Sequence, residues 1–389
     1  MRETAEKRSC ALLVTRNFPP LIGGMEKLNR HLLAALGEEW QVALCGPRGC
    51  REFAPPGSVV MESSLRPLPL FLVSTLQKAV FFSIVNRPGL VLGGSGLTAP
   101  IAWLAGRIAG AKTAVYLHGL DVVASSRIYQ WVWLPFIRGC DLVIVNSENT
   151  AKLARARGVA SNRISVLNPG TDIPTLGSGA GPAFRDQHGL GQRRLLLSVG
   201  RLTRRKGLAE FVANSLPGIV LLRRDALLLI IGDEAGDALN AGTGSERKRI
   251  QAAAEAAGVE SSLRFLGHCD ESTLHGAYEA ADCHVFPILE LPGDVEGFGM
   301  VALESAAHDL QTVAFAVGGV ADSVSAGNSG SLINAGDYAD FGEAVIAVLD
   351  RPRDPSEHSK CREFASDKSW VQFGKRLRRI VRQHDEQPN

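Results

Sequence analysis

The chain has 389 residues, 45% of them hydrophobic and 21% charged, with a formal net charge of +2 and a sequence pI of about 8.2. That length favours two domains. The composition excludes disorder, which needs low hydrophobicity and high net charge, and the mild charge argues against nucleic acid as a partner.

Seven cysteines, at 10, 45, 50, 140, 269, 283 and 361, make an odd set in a chain large enough to bury its own core. They predict free thiols in a reducing compartment. Arg2, Glu3, Glu6, Lys7 and Arg8 precede only a short apolar run, which does not read as a secretory leader. The expectation is a cytoplasmic protein, with peripheral contact at the inner face of the membrane as its extension.

From the N-terminus, apolar runs at 11–14, 41–45, 90–92, 113–117, 142–145 and 164–167 read as buried strands. Helical patterns at 25–36, 70–85, 99–108, 128–137 and 148–157 fall between most of them. Such alternation implies parallel strands in an open sheet. The stretch 68–85 is strongly apolar, but Gln77 and Lys78 interrupt it and Arg87-Pro88 end it. It falls short of the ~20 apolar residues of a spanning helix, so it reads as a core helix or as one lying on a membrane surface. Small and turn-forming residues at 174–182 predict a linker, placed at 174–193 between domains 1–173 and 194–369.

Beyond it, strands are expected at 195–199, 226–231, 263–266, 283–286, 312–315 and 331–333, with helices near 208–216, 245–257, 271–281, 300–308 and 338–349. The predicted fold class is α/β, with two doubly wound Rossmann-like domains facing a cleft and ligands at the C-terminal ends of the strands. The tail 370–384 is a basic helical pattern containing Lys375, Arg376, Arg378, Arg379 and Arg382. It reads as a solvated helix, as one packed back on the N-terminal domain, or as a contact for acidic lipid headgroups.

Two segments carry chemistry. In Gly200-Arg201-Leu-Thr-Arg204-Arg205-Lys206-Gly207, cations cluster between a strand and a helix. Positioned Arg and Lys there can stabilise the charge that grows on a departing diphosphate, although the loop alone reads equally as a basic surface turn. In the segment 294–304, Glu296 precedes a helix start freed by Gly297 and Gly299, and Glu304 lies inside that helix. A helix N-terminus suits a phosphate or a sugar hydroxyl, and carboxylates accept the paired hydroxyls of a hexose or ribose. A capping Glu and an exposed Glu are the plainer reading.

Taken together the two segments resemble the retaining glycosyltransferases of family four, which have the GT-B architecture. The family pattern Arg-x4-Lys falls on Arg201 and Lys206, and Glu-x7-Glu on Glu296 and Glu304. The stretches beginning at Phe18, His118, Asn168 and Gly318 come in the order the family shows. The resemblance implies sugar transfer from a nucleotide-sugar donor (a UDP- or GDP-sugar) to a glycan or lipid-linked acceptor, with no metal and no cofactor beyond the co-substrate.

It also implies roles. Arg201 and Lys206 would bind the diphosphate; Glu296 and the backbone of Phe298, Gly299 and Met300 would hold the sugar; Glu304 would hold the ribose. Gly23 and Gly24 would let a loop approach the phosphate or acceptor, His118 would stand near the reacting centre, and residues 267–270 would flank the base. The donor would lie mainly on the second domain, and the acceptor would enter from the first. One departure stands out: Asp309 and Gln311 occupy positions where the family commonly has Gly and Pro. It predicts a modest stability cost with the site retained, and leaves room for a weakly active or degenerate member.

Other readings leave more unexplained. A sugar-nucleotide epimerase of the same architecture or a non-catalytic sugar-nucleotide-binding protein would use the same donor residues. Gly94-Ser-Gly96-Leu-Thr-Ala99 fits the dinucleotide fingerprint, with Asp121 downstream, but follows the third expected strand rather than the first. A glycosidase needs two carboxylates opposed across one bond, which a loop and its following helix do not offer. Cys269, His275, Cys283 and His284 match no paired zinc spacing, and the chain contains no Asp-x-Asp.

Overall fold

A computed structural model describes residues 10–123, 126, 129–234, 245–351 and 355–385. The N-terminal charges at 2–8 and the expected helix start at 128 lie outside these residues. The chain forms two compact units, one of Met1–Gly170 with Trp370–Asn389 and one of Thr171–Ser369.

The first unit is built on a parallel sheet of β1 (Cys10–Val14), β2 (Gln41–Pro47), β3 (Val59–Ser63), β4 (Leu90–Gly93), β5 (Lys112–Leu117), β6 (Leu142–Val145) and β7 (Ile164–Val166). The spatial order is β3-β2-β1-β4-β5-β6-β7. The second is built on β8 (Arg194–Val199), β9 (Ala226–Ile231), β10 (Leu263–Gly267), β11 (Cys283–Phe286), β12 (Thr312–Phe315) and β13 (Gly330–Ile333), in the order β10-β9-β8-β11-β12-β13. In each sheet the direction of growth reverses once, between β1 and β4 and between β8 and β11. At such a reversal neighbouring connections leave to opposite faces and open a crevice beyond the strand ends.

The strands read as unbroken apolar runs because both faces are covered. In the second unit Leu195, Leu197, Leu227, Leu229 and Ile231 join one core cluster, while Leu196, Leu228, Ile230 and Val285 join another. This is the period-two alternation of a strand buried on both sides.

Three features differ from the sequence expectation. β3 is an additional edge strand, short and preceded by Pro55-Pro56-Gly57, so its apolar signal was weak. Within the stretch read as a linker, Ala180–Gln187 is a helix with Phe184 buried, and the Gly181 amide donates to the Glu279 carboxylate at 3.1 Å. The Gly-Ala-Gly-Pro run masked it, yet a proline in the first turn forfeits no intrahelical bond. Third, the helix Leu68–Asn86 is neither fully core nor free. Phe71, Thr75, Ala79 and Phe82 are buried, while Leu70, Val73, Phe81 and Ile84 on the opposite stripe are 54%, 52%, 70% and 57% exposed.

The helix Trp370–Asp385 packs on the helix Gly24–Gly37 of the first unit. Trp370 stacks on His31 with ring centroids 4.0 Å apart. Arg378 pairs with Glu38 at 2.8 Å and Glu39 at 3.2 Å, and Arg382 also reaches Glu39. Part of the basic stripe is therefore committed within the molecule. Trp370→Ala is expected to cost about 3 kcal/mol of stability, as removal of a large packed aromatic does. Urea unfolding measures it, and a loss below about 1 kcal/mol would show that this helix is not part of the first unit's core.

Candidate functional site

In the second unit, charged side chains gather where β8 and β11 end, at the reversal of the strand order. After β8 the chain makes one 3-10 turn, Arg204–Lys206, closed by Gly207 at φ 67°. A side chain is strained at that φ, and a Cβ there would lie 1.9 Å from the Pro287 carbonyl oxygen. Glycine thus seats this loop directly against the one following β11.

That second loop brings Glu296 to both cations. Its Oε2 accepts from Lys206 Nζ and from Arg205 Nη1, each at 2.9 Å. Arg205 also donates to the Val295 carbonyl at 3.1 Å and pairs through Nε with Asp294 at 3.0 Å. Lys206 Nζ sits 4.7 Å from the centre of the Phe286 ring. Burial pushes the Glu296 carboxyl up, but Lys206 and then Arg205 outweigh it and hold the group below its ordinary value. Burial draws Lys206 down, against the pull of Glu296. On β11, fully buried His284 lies with Nδ1 3.0 Å from Thr312 Oγ1, and burial, then Lys206, push it down to about 3, so it is a neutral imidazole.

The backbone around Glu296 is pressed from the other side by Gly318-Gly319. The Gly319 amide donates to the Glu296 carbonyl at 2.8 Å, and a Cβ on Gly319 would be 1.9 Å from the Gly297 oxygen. Gly299, at φ 90°, precedes the helix Met300–Ala307, which carries Glu304. The Glu304 carboxylate accepts from the buried Tyr278 hydroxyl at 3.3 Å. The Phe298 ring is buried with Leu303, Ala306, Ala307 and Ala365, and Met300 packs against the same cluster. The Phe298 side chain is therefore committed to this core, which leaves the backbone of Phe298, Gly299 and Met300 as the binding group here.

In the first unit, the ends of β1, β4 and β5 meet at the other reversal. His118 Nε2 lies 2.9 Å from the Gly94 carbonyl, which can only accept, so Nε2 bears a hydrogen and donates. The His118 amide donates to Asp121 at 2.9 Å. Asn29 donates to Asn17 O at 2.9 Å and to Thr15 Oγ1 at 3.2 Å, and Asn17 donates to Glu26 at 2.8 Å. Gly23 and Gly24 are exposed at the start of the helix Gly24–Gly37. A Cβ at Gly94 would meet Asn29 at 2.5 Å, and one at Gly96 the Tyr129 hydroxyl at 2.4 Å. These glycines make room for the protein's own side chains, which removes the dinucleotide reading.

Of the residues singled out from sequence, the structure joins Lys206 to Glu296 directly. Arg201 is exposed and acts on Glu296 through charge alone. Asp270 caps the helix Glu271–Ala280, accepting from the Thr273 amide at 2.8 Å, so its side chain is not directed to a base. Sequence reasoning passed over Arg205, Asp294, Phe286 and Tyr278. Arg205 stands inside the basic run, but the Arg-x4-Lys register steps past it, while Phe286 and Tyr278 read as ordinary core.

Two doubly wound Rossmann-like domains, each with polar groups at its strand-order reversal, define the GT-B class of architecture. The sequence matches the families described as Glycosyltransferase Family 4 over residues 22–174 and Glycosyl transferases group 1 over residues 182–368. The chain belongs to the family-four, group 1 glycosyltransferases.

It is 31% identical over 226 residues to D-inositol 3-phosphate glycosyltransferase 2 of Catenulispora acidiphila, a match covering 56% of this chain and 49% of that protein. The chain thus spans about half the length of the first D-inositol 3-phosphate glycosyltransferases it matches. Over 95% of its own length and 97% of the relative's, it is 25% identical to the GDP-mannose-dependent monoacylated alpha-(1-6)-phosphatidylinositol monomannoside mannosyltransferase of Corynebacterium glutamicum. Its fold matches that of Anabaena HepE in complex with UDP-glucose, with TM-score 0.76 and 18% identity, covering 96% of this chain and 100% of that one.

Glu296→Gln leaves Arg205 and Lys206 facing a neutral group, and is expected to destabilise the second unit by about 3 kcal/mol at neutral pH. A depressed carboxyl contributes stability that is complete above its unfolded value, ordinarily 4.5, and lost as the pH falls through its folded value. The gap between wild type and variant should therefore be constant above pH 4.5 and close below it. Chemical denaturation across that range measures it; a gap independent of pH in the acid range would contradict the pairing.

Proposed function

We propose that this chain is a retaining glycosyltransferase that moves a hexose from a UDP- or GDP-sugar to an acceptor without a metal ion. The observation that carries this reading is the Arg205–Lys206–Glu296 cluster at the strand-order reversal of the second unit. As the bond between anomeric carbon and phosphate oxygen breaks, negative charge grows on the diphosphate. Arg201, Arg205 and Lys206 supply fixed positive charge for it, and such preorganised groups act mostly on the transition state. Glu304 holds the ribose hydroxyls, and Glu296 with the backbone of Phe298, Gly299 and Met300 holds the sugar. The departing phosphate oxygen takes the acceptor proton while the acceptor oxygen bonds the same face of the anomeric carbon, which retains configuration. In the first unit, Gly23, Gly24 and His118 serve the acceptor side. The GDP-mannose dependence in the name of the Corynebacterium relative and the UDP-glucose in the Anabaena structure support a nucleotide-sugar donor.

We also propose a lipid-linked acceptor, reached by a cytoplasmic protein lying on the inner membrane face. Leu70, Val73, Phe81 and Ile84 form an exposed apolar stripe on the helix Leu68–Asn86. Residues 63–120 contain no Asp or Glu, but do contain Arg66, Lys78, Arg87, Arg107 and Lys112. An apolar stripe flanked by Arg66 and Arg87 suits an anionic lipid surface.

Thermal unfolding across a panel of nucleotide sugars tests the donor site. One donor is expected to stabilise the protein, by about 2.7 kcal/mol at a hundredfold excess over Kd. Lys206→Met and Glu304→Ala should lose the effect, and a chelator should leave both the shift and nucleotide release unchanged. Stabilisation without nucleotide release in the presence of membrane lipid acceptors would favour a binding protein instead. For the membrane contact, the wild type is expected to float with vesicles containing anionic lipid and Phe81→Asp/Ile84→Asp to stay in solution. Equal flotation of both would rule out this helix as the contact.

A further inference from the structure

The helix Trp370–Asp385 carries Lys375, Arg378, Arg379 and Arg382 at spacings of three and four residues, so all four lie on one side of it. Like charges at those spacings repel and weaken a helix. The helix is nonetheless fixed along its length on the first unit. Trp370 stacks on His31, Phe373, Leu377 and Val381 are buried, and His384 Nε2 lies 2.7 Å from the Asp141 carbonyl. The mutually repelling cations are thereby held in place together.

The four cations, with Glu39 and Gln383, line a cavity of about 450 Å³. Two of them are oriented by carboxylates that follow the helix Gly24–Gly37. Arg378 places Nη1 on Glu38 and Nε on Glu39, while Arg382 places Nε and Nη2 on Glu39. This leaves the N–H groups of Arg378 Nη2 and Arg382 Nη1 for another acceptor. Among the described residues, Lys375 and Arg379 have no hydrogen-bond or ion-pair partner, and both are exposed. Four cations against the carboxylates of Glu38 and Glu39 leave two positive charges unmatched among these side chains.

The lining narrows the ligand. Among the described residues it contains no aromatic or aliphatic side chain, so it offers no surface for a base or an acyl chain. Guanidinium groups suit phosphate, whose oxygens they meet in pairs. The position narrows it further. Glu39 and Asp141 lie just ahead of β2 and β6, so the cavity is at the N-terminal pole of the sheet, opposite the strand ends that carry His118. The sheet also separates it from the apolar stripe of the helix Leu68–Asn86. Ala79 and Phe82 of that helix cluster with Ala43 and Cys45 of β2, whereas a Cβ on Gly37 would lie 3.5 Å from the Val42 side chain. Alternate residues of a strand point to opposite faces, so the two helices that flank β2 cover opposite sides. A bilayer lying along the apolar stripe would not reach the cavity, which favours a soluble anion over a lipid headgroup.

We propose that this cavity is a second anion site, separate from the donor and acceptor positions, which takes a compact soluble ligand bearing two or more phosphates. The ligand neutralises the four repelling cations and so tightens the helix Trp370–Asp385 on the first unit.

Calorimetry with inorganic pyrophosphate, compared with sulfate at equal ionic strength, tests the site. The double substitution Lys375→Ala/Arg379→Ala is made in the wild type and in Lys206→Met, which removes a cation of the donor loop, so that pyrophosphate held there is counted separately. Lys375 and Arg379 hold nothing within the protein, so the double variant is expected to keep the wild-type melting temperature. Pyrophosphate should bind at least about 10-fold more tightly than sulfate, and the double substitution should weaken it by about 10-fold or more in either background, the factor carried by one hydrogen bond to a charged group. Lys206→Met alone should retain the site. Equal affinity with and without the double substitution, pyrophosphate bound no more tightly than sulfate, or binding abolished by Lys206→Met alone overturns the proposal. Vesicles of phosphatidylcholine and phosphatidylserine in equal parts test the lipid source, and the double variant should float as the wild type does. A double variant that no longer floats but binds pyrophosphate like the wild type makes this face a lipid contact and overturns the soluble site.

Discussion

The carboxylate of Glu296 is the constraint on which the cluster at the strand-order reversal of the second unit depends. Its side chain is 13% exposed, and an ionised carboxylate so far from water is tolerable only when paired and hydrogen-bonded. Both its cations come from the loop after β8, ninety and ninety-one residues away in sequence. The two loops must therefore touch, and Gly207 is what lets their backbones come that close. Arg205 reinforces the contact by also holding Asp294 and the Val295 carbonyl, so the loop after β11 is fixed at three points. The Gly318-Gly319 turn closes on the same backbone from behind. Positive charge that is locked in place before any ligand arrives costs no reorganisation when it acts, which is the property that electrostatic catalysis needs.

Much of this was legible in the sequence, for definable reasons. Unbroken apolar runs spaced by helical patterns have few solutions other than a parallel sheet covered on both faces, so most strands were placed correctly. Lys206 and Glu296 were each named from the Arg-x4-Lys and Glu-x7-Glu patterns, but with separate ligands, and their direct pairing is seen only in the structure. What sequence could not show was which side chains share a space. Arg205 and Arg201 look equivalent in a basic run, yet one is buried against Asp294 and Glu296 and the other is exposed. Tyr278 reads as the apolar face of a helix, since its hydroxyl partner lies on another helix. The helix Ala180–Gln187 was hidden by glycines and a proline that suit a first turn as well as a linker.

The helix Leu68–Asn86 shows a different limit. Apolar residues all round a helix say that it is not surrounded by water, but periodicity cannot say what surrounds it. The structure divides the helix into a stripe with Phe71, Ala79 and Phe82 against the sheet and a stripe with Val73, Phe81 and Ile84 facing outward. A fully buried core helix is thereby set aside.

The departures at Asp309 and Gln311 can be weighed on the same physical terms. Asp309 does adopt the left-handed conformation, φ 56°, that a glycine would take more easily, a strain on the order of 1 kcal/mol. The helix end is nevertheless complete. The Leu310 amide reaches back to the Ser305 carbonyl at 3.0 Å and the Asp309 amide to Ala306 at 3.1 Å, the pair of bonds that closes a helix with a left-handed residue after it. Gln311 contributes its carbonyl to the amide of His284 at 2.9 Å, as any residue entering β12 would. Neither substitution alters the turn that holds Glu304, which is fixed instead by His308 and Tyr278. The strain at Asp309 acts on stability and is borne one turn away from the carboxylate.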